Sequence, residues 1–175
     1  MGNKNSPNGL HPENIDGVEL ERVVCIAGMT TKDGDTIYKG SDGNPDGLSD
    51  GHTGTFPIWG AQHGSIVDKD TQQNKATSEA GDILFLYPQV DTVFIAQIAI
   101  GALVQSYTTR ATGACFDLAG SYGSEYINQA ATTYDDIKVL GPATEPNTGK
   151  LSAYGAYQKV RCMYNPVKHY RGPFA

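Results

Sequence analysis

The sequence predicts a mainly β chain: a small antiparallel β-barrel or sandwich, preceded by an extended N-terminal arm and carrying at most one short helix. Three observations predict it. The 175 residues include 21 Gly and 9 Pro, a turn-rich composition that suits many short strands. Several segments alternate apolar and polar residues with period two, which places one side of a strand in a core. No long amphipathic helix lies between these segments to act as a crossover, so neighbouring strands are expected to run antiparallel.

Taken in order, residues 1–17 are polar and interrupted by Pro7 and Pro12. They bury too little apolar area to fold alone and are expected to form a flexible arm. The β-rich domain is expected over 18–175, with 18–75 as an irregular subregion. Val18, Leu20, Val24 and Ile26 alternate with Glu19 and Glu21, predicting a first strand over 18–27. Asp33-Gly34 between Thr-rich and Ile/Tyr-rich flanks is a hairpin signal, because these residues tolerate the positive φ of a tight turn. Residues 40–55 are so rich in Gly, Asp, Asn and Pro that a long surface loop is expected. Short strands are expected at 55–59 and 66–67, the first confined by Pro57 to an edge or an irregular bend. Further strands are predicted at 83–87, 92–98, 103–109, 114–118, 137–140 and 157–164. Residues 124–134 carry the one helical spacing, with Ile127, Ala130, Ala131 and Tyr134 on one side and Ser124 as a cap.

Charge and cysteine content narrow the function classes. Residues 1–80 hold 12 of the 19 acids but only 6 of the 13 bases, so the net charge of −6 is concentrated in the first half. An acidic chain of this kind is not expected to bind nucleic acid, which calls for a basic domain. Three widely separated cysteines, Cys25, Cys115 and Cys162, form neither a disulfide framework nor a zinc knuckle and read as small core residues made in a reducing compartment. The start of the chain lacks a secretory signal. The most apolar run, 93–104, is interrupted by Gln97 and Gly101 and is too short to span a bilayer. No membrane partner is expected.

The sequence carries no recognisable catalytic motif. Neither glycine-rich nucleotide loop is present in a strand-to-helix context, and no G-x-S-x-G elbow occurs. His11, His52, His63 and His169 show no zinc spacing. Asp42-Gly-Asn44-Pro-Asp46-Gly47 imitates the start of a calcium loop, but its twelfth position is Thr53 and not a bidentate acid, with Asp50 the nearest substitute, so it reads as a turn cluster. The pairs Asp68/Asp70 and Asp135/Asp136 read as solvated turns, since glycoside chemistry needs acids on opposite faces of a sugar. Trp59 reads as a core residue, with sugar stacking as the other use. The chain is therefore expected to be no enzyme and to use no cofactor and no metal.

The order of parts over 81–171 carries a resemblance. Gly81-Asp82 leads into the apolar strand 83–87, and Asp91-Thr-Val-Phe94 opens a second strand followed by Gln97. A Gly/Ser-rich middle spans 113–124, and then comes Ile137-Lys-Val-Leu-Gly141. A turn with Pro142, Pro146, Asn147 and Gly149 precedes Tyr157-Gln-Lys-Val-Arg-Cys-Met-Tyr-Asn165 and a final His169-Tyr170. This pattern, about half of the chain, resembles the capsid decoration proteins, also called cement or minor capsid proteins, of tailed bacteriophages. The resemblance implies a small β-barrel or sandwich without an active site, made in the host cytoplasm and carried on the outside of the phage head. Its partner would be the major capsid protein, whose neighbouring subunits it bridges, and a homo-oligomer, a trimer, would fit three-fold positions. Strand 18–27 and loop 40–55 lie outside the pattern.

Lys159, Arg161, Lys168 and Arg171, four bases without an acid among the last twenty residues, are the candidate docking residues, together with the arm. The alternative from another class is a carbohydrate- or receptor-binding module of a phage tail or fibre, built on Trp59, Tyr38 and loop 40–55. An enzyme holding a metal through His52 and His63 is the third reading.

Overall fold

The computed structural model describes residues 9–40, 42–47, 57–89, 92–98, 115–120, 123–128, 134–145, 148–153 and 157–166. The fold is mainly β and sandwich-like, as the sequence pattern predicts. One sheet has the order β1 (His11–Pro12), β8 (Phe94–Gln97), β12 (Lys159–Tyr164), β11 (Ile137–Pro142), β9 (Cys115–Ala119) and β10 (Tyr126–Asn128). The other has the order β2 (Glu21–Val24), β7 (Ile83–Pro88), β5 (Ile58–Val67), β3 (Thr36–Lys39) and β4 (Pro45–Gly47), with β6 (Asn74–Lys75) also paired to β5. Every ladder is antiparallel. An isolated parallel bridge between Ile98 and Ile127 curls the first sheet back toward itself without closing it into a barrel.

Alternation along the strands explains two apolar clusters. In the first sheet Phe94, Ala96, Val160, Cys162, Tyr164, Ile137, Val139, Phe116 and Leu118 point inward. Tyr38, Ile58, Ala61 and Tyr87 of the second sheet meet them. The Phe94 and Tyr164 rings pack edge to face with centroids 5.2 Å apart, a favourable arrangement of ring quadrupoles. Successive strand residues face opposite ways, so Ile37, Leu84 and Leu86 form a second cluster with Val23, Ile66, Cys25, Met29 and Trp59.

Ser78 joins the two segments that border this second cluster. Its hydroxyl donates to Ile26 O at 2.5 Å and accepts from Met29 N at 3.0 Å. Its backbone exchanges further bonds with Gly28 and Met29. Lys75 performs a similar task beside it: its Nζ lies 3.0 Å from Asp68, 3.1 Å from Asp82 and 3.3 Å from Glu79. Asp82 also accepts the N–H groups of Lys69 and Glu79, so this buried carboxylate is well supplied with donors.

Several expectations are corrected. Residues 9–13, inside the segment expected as an arm, are packed against the body: Leu10 is wholly buried, Leu10 N donates to Gly34 O at 2.7 Å, and Glu13 N donates to Val93 O at 2.8 Å. A Cβ on Gly9, whose φ is 80°, would collide with the Gly34 carbonyl, so the close approach requires glycine. The first strand is shorter than 18–27, because Val18 and Leu20 pack against the larger cluster instead of extending the ladder. Asp33-Gly34 does turn, with Gly34 at φ 86°, but no strand leads directly into it; Gly34 bonds instead to Leu10 and Gln62 across the fold.

Within the expected loop 40–55, β4 pairs with β3 through Lys39↔Pro45. The proline sits on an edge strand, where its missing N–H costs no ladder bond. The two short strands expected at 55–59 and 66–67 are one ten-residue strand, β5, placed between β7 and β3. Gly60 admits the Tyr87 carbonyl at a distance that a Cβ would forbid, and a register shift between His63 and Val67 accommodates Gly64. The helical reading of 124–134 fails where it can be examined: Tyr126–Asn128 is a strand paired with β9, and it buries Ile127 opposite Leu118. Residues 103–109 lie outside the described residues.

Two outcomes test this packing. Replacing Leu10 by Ala should destabilise the chain by roughly 2–5 kcal/mol in urea unfolding, the usual range for a buried leucine. Lys75→Met should lower the thermal midpoint at pH 7, and its difference from wild type should shrink progressively as pH falls below the ordinary carboxylate range. Hydrogen bonds from nearby N–H groups and from Lys75 hold Asp68 and Asp82 below the ordinary carboxylate range. Their stabilisation is therefore present above that range and lost as pH falls through their folded values.

Candidate docking surface

The four bases singled out from the sequence divide by position. Lys159 and Arg161 stand at alternate positions of β12, facing away from Val160, Cys162 and Tyr164. Lys168 and Arg171 lie outside the described residues. The ladder adds a base that sequence reading missed: Lys138 on β11 pairs with Met163 on β12, so it joins the same outward face. Ile95 pairs with Arg161 from the other side. The result is a patch of Lys138, Lys159 and Arg161 around the half-buried Ile95 and Met163. The signal that could have found Lys138 is its alternation with Ile137 and Val139.

Arg161 is not a free charge. Its Nε lies 2.7 Å and 2.8 Å from the two oxygens of Glu13, which ties the segment after β1 to β12. Lys138 and Lys159 make no ion pair among the described residues. They are the groups on this face able to meet an acidic partner.

The residues named for other chemistries are placed differently. Tyr38 is buried within the larger cluster and burial raises its pKa well above the usual value, so it presents no ring to a sugar. Trp59 is half-buried; its Nε1 donates to Glu21 Oε1 at 2.6 Å, and Lys39 Nζ lies 5.6 Å from the ring centroid. One indole face thus already carries a cation. His63 is exposed and its Nδ1 lies 2.7 Å from the Tyr87 hydroxyl, while His52 lies outside the described residues. Among the described residues no group of three or more His, Cys, Asp or Glu is placed to hold a metal ion.

Asp42 turns its oxygens into its own loop, accepting Asn44 N at 3.0 Å and Asn44 Nδ2 at 2.8 Å. These bonds lower its pKa. Asp50 and Thr53 lie outside the described residues. Asp68 and Asp70 do share a turn, with Asp70 exposed and Asp68 half-buried against Lys75. Asp136 corrects the reading of its pair as a solvated turn, since it is fully buried and accepts Leu118 N at 3.2 Å. Cys25 and Cys162 are buried, and burial pushes the Cys25 thiol up to about 11. Cys115 is half-buried on the outward side of β9.

Sequence reading also missed the acids at the junction of the sheets. Glu125 and Asp35 are both buried, and desolvation, followed for Glu125 by the nearby Asp35 charge, raises both carboxyl pKa values. Asp117 accepts Tyr134 N at 2.8 Å and Asp135 N at 2.9 Å, closing the corner that leads into β11. These acids are spread over separate elements, and burial, not exposure to a cleft, is what they share.

No family model, no curated protein and no solved structure matches the chain.

The Arg161 ion pair is solvent-exposed on both sides, with 43% and 31% of the side-chain surfaces accessible. Arg161→Ala should therefore cost less than about 1 kcal/mol in chemical unfolding. A much larger loss would mean that Arg161 serves the core and not the surface.

Proposed function

We propose that this chain is a structural virion protein that binds the outside of a phage head and bridges major capsid subunits, stabilising the shell. The observation that carries the reading is the outward face of β8, β12 and β11, where Lys138, Lys159 and Arg161 surround Ile95 and Met163. It is supported by the pattern over 81–171 that resembles decoration proteins. A mixed aliphatic and basic patch on a sheet suits a protein partner with acidic groups: the apolar centre contributes affinity and the charges contribute orientation and association rate.

Bridging needs no chemistry. A ligand that binds only the assembled shell stabilises it by mass action, and a repeated contact of ordinary size, roughly 1,600 Å² in total, is enough when many copies act together. A homo-oligomer, a trimer at three-fold positions, would extend the same logic, since each copy would then hold its neighbours against separate subunits.

The deciding measurement is the copy number of this chain relative to the major shell protein in purified particles, by quantitative mass spectrometry. A number equal to the shell protein's, or a simple fraction of it, is expected. A handful of copies would favour a tail or fibre module, and complete absence would overturn the virion reading. Reversing both lysines in Lys138→Glu/Lys159→Glu should weaken attachment to particles lacking the chain and reduce its sensitivity to salt, while leaving the unfolding midpoint close to wild type.

A further inference from the structure

At the junction of the sheets, Glu125 has no solvent access, and among the described residues its two carboxyl oxygens share one donor, the Thr36 N–H, 3.0 Å from each. Asp35, the residue before Thr36, is buried beside it, but each of its oxygens has its own donor. Oδ2 accepts Lys32 N at 2.8 Å and Oδ1 accepts Gly123 N at 2.5 Å. Two buried carboxyl groups in one place resist joint ionisation, because each charge raises the cost of the other and neither has bulk water to solvate it. The proton stays on the group with fewer donors, which is Glu125.

Among the described residues, the other titratable groups facing Glu125 supply no opposing cation. Tyr38 comes from β3 and Tyr164 from β12, Asp136 stands ahead of β11, and Asp117 on β9 faces the same Tyr38. Lys32 acts on Asp35. The Tyr164 hydroxyl lies 3.1 Å from Thr36 Oγ1, so the tyrosine holds the same threonine that Glu125 does.

We propose that Glu125 is a proton latch at the junction of the two sheets: neutral, it packs there at little cost, and ionised, it becomes a buried charge that the lone Thr36 N–H cannot solvate, which loosens the junction. Thr36 opens β3 and Glu125 immediately precedes β10, so the contact spans the sheets at one point. Gly9 N also donates to Glu125 O, and Leu10 N donates to the carbonyl of Gly34 next to Asp35. Release of the latch therefore loosens the start of β3, the approach to β10 and the N-terminal plug together.

The direction in pH follows from linkage. A carboxyl whose folded pKa exceeds its unfolded one keeps a proton in the folded state that the unfolded chain has already lost. Its stabilising effect is complete below the ordinary glutamate range and is lost as pH rises through the folded value. This runs opposite to Asp68 and Asp82, so a comparison above pH 5 isolates the latch.

The test is urea unfolding of the full chain and of Glu125→Gln from pH 5 to pH 9. The wild-type unfolding constant should rise by up to about tenfold per pH unit more than that of the variant, because glutamine retains an acceptor for Thr36 and cannot ionise. Parallel profiles for the two proteins would overturn the latch. Should Glu125→Gln fail to fold, carboxyl NMR of wild-type protein labelled at glutamate decides instead. One protonated glutamate at pH 7 is expected, and ionisation of every glutamate at that pH would overturn the proposal.

Discussion

The junction between the sheets depends on a short stretch of backbone, Gly34 to Thr36, several of whose polar groups bond across the fold. Gly34 O takes the N–H of Leu10, Gly34 N reaches Gln62 O, and Thr36 N reaches Glu125. The second sheet presents apolar side chains on both faces, so it cannot rest against water on either side. One face is covered by the first sheet, and loops tied down by Ser78 border the other. Buried polar groups in such a place must be paired, because an orphan costs more than a made bond contributes. That requirement fixes the position of β3, a strand that, like β5 and β7, contributes to both apolar clusters.

This explains which parts of the fold were legible in the sequence. Strands β7, β8, β11 and β12 announce themselves by composition, because their inward residues are large and their outward ones are mixed. Strand β5 does not. Its glycines look like loop residues, yet Gly60 is there to let the Tyr87 carbonyl approach and Gly64 sits in a register shift. Strand β10 has the opposite problem: Ile127, Ala130, Ala131 and Tyr134 happen to fall at helical spacing, and only the partner strand β9 reveals that Ile127 is a strand residue. Local pattern cannot carry information that resides in a partner across a ladder, as Leu118 is for Ile127. The N-terminal plug was hidden for the same reason, since one leucine among polar residues is unremarkable until Gly34 and Val93 are beside it.

The candidate docking face was legible in part. Lys159 and Arg161 alternate with Val160 and Cys162, so their outward placement follows from strand period alone. The neutralisation of Arg161 by Glu13 joins residues 148 positions apart and has no local signature. The buried acids were illegible for a thermodynamic reason: acids are expected at the surface, and nothing in the residues around Glu125 or Asp136 marks them as buried. Their burial is a property of the assembled sheets, tolerated because backbone N–H groups meet them there.

Surface and seam follow different rules, and this bears on how the chain could serve as a clamp. On the outward face, Lys138 and Lys159 have water as a partner, so exchanging water for an acidic protein surface changes little in the fold. Their electrostatic contribution is screened over about 8–10 Å at physiological salt and therefore acts only on contact. At the seam, Glu125 and Asp35 have no water to return to, and any change in their charge is felt by the strands that enclose them. Arg161 is where the two regimes meet: it stands on the outward face, yet through Glu13 it holds the segment that inserts Leu10 between the sheets. A partner carboxylate that displaced Glu13 from Arg161 would release one tether of that segment while Leu10 remained buried. Attachment at this face can thus loosen the N-terminal segment without unfolding the body, provided that the apolar plug, and not the ion pair, supplies most of the segment's hold.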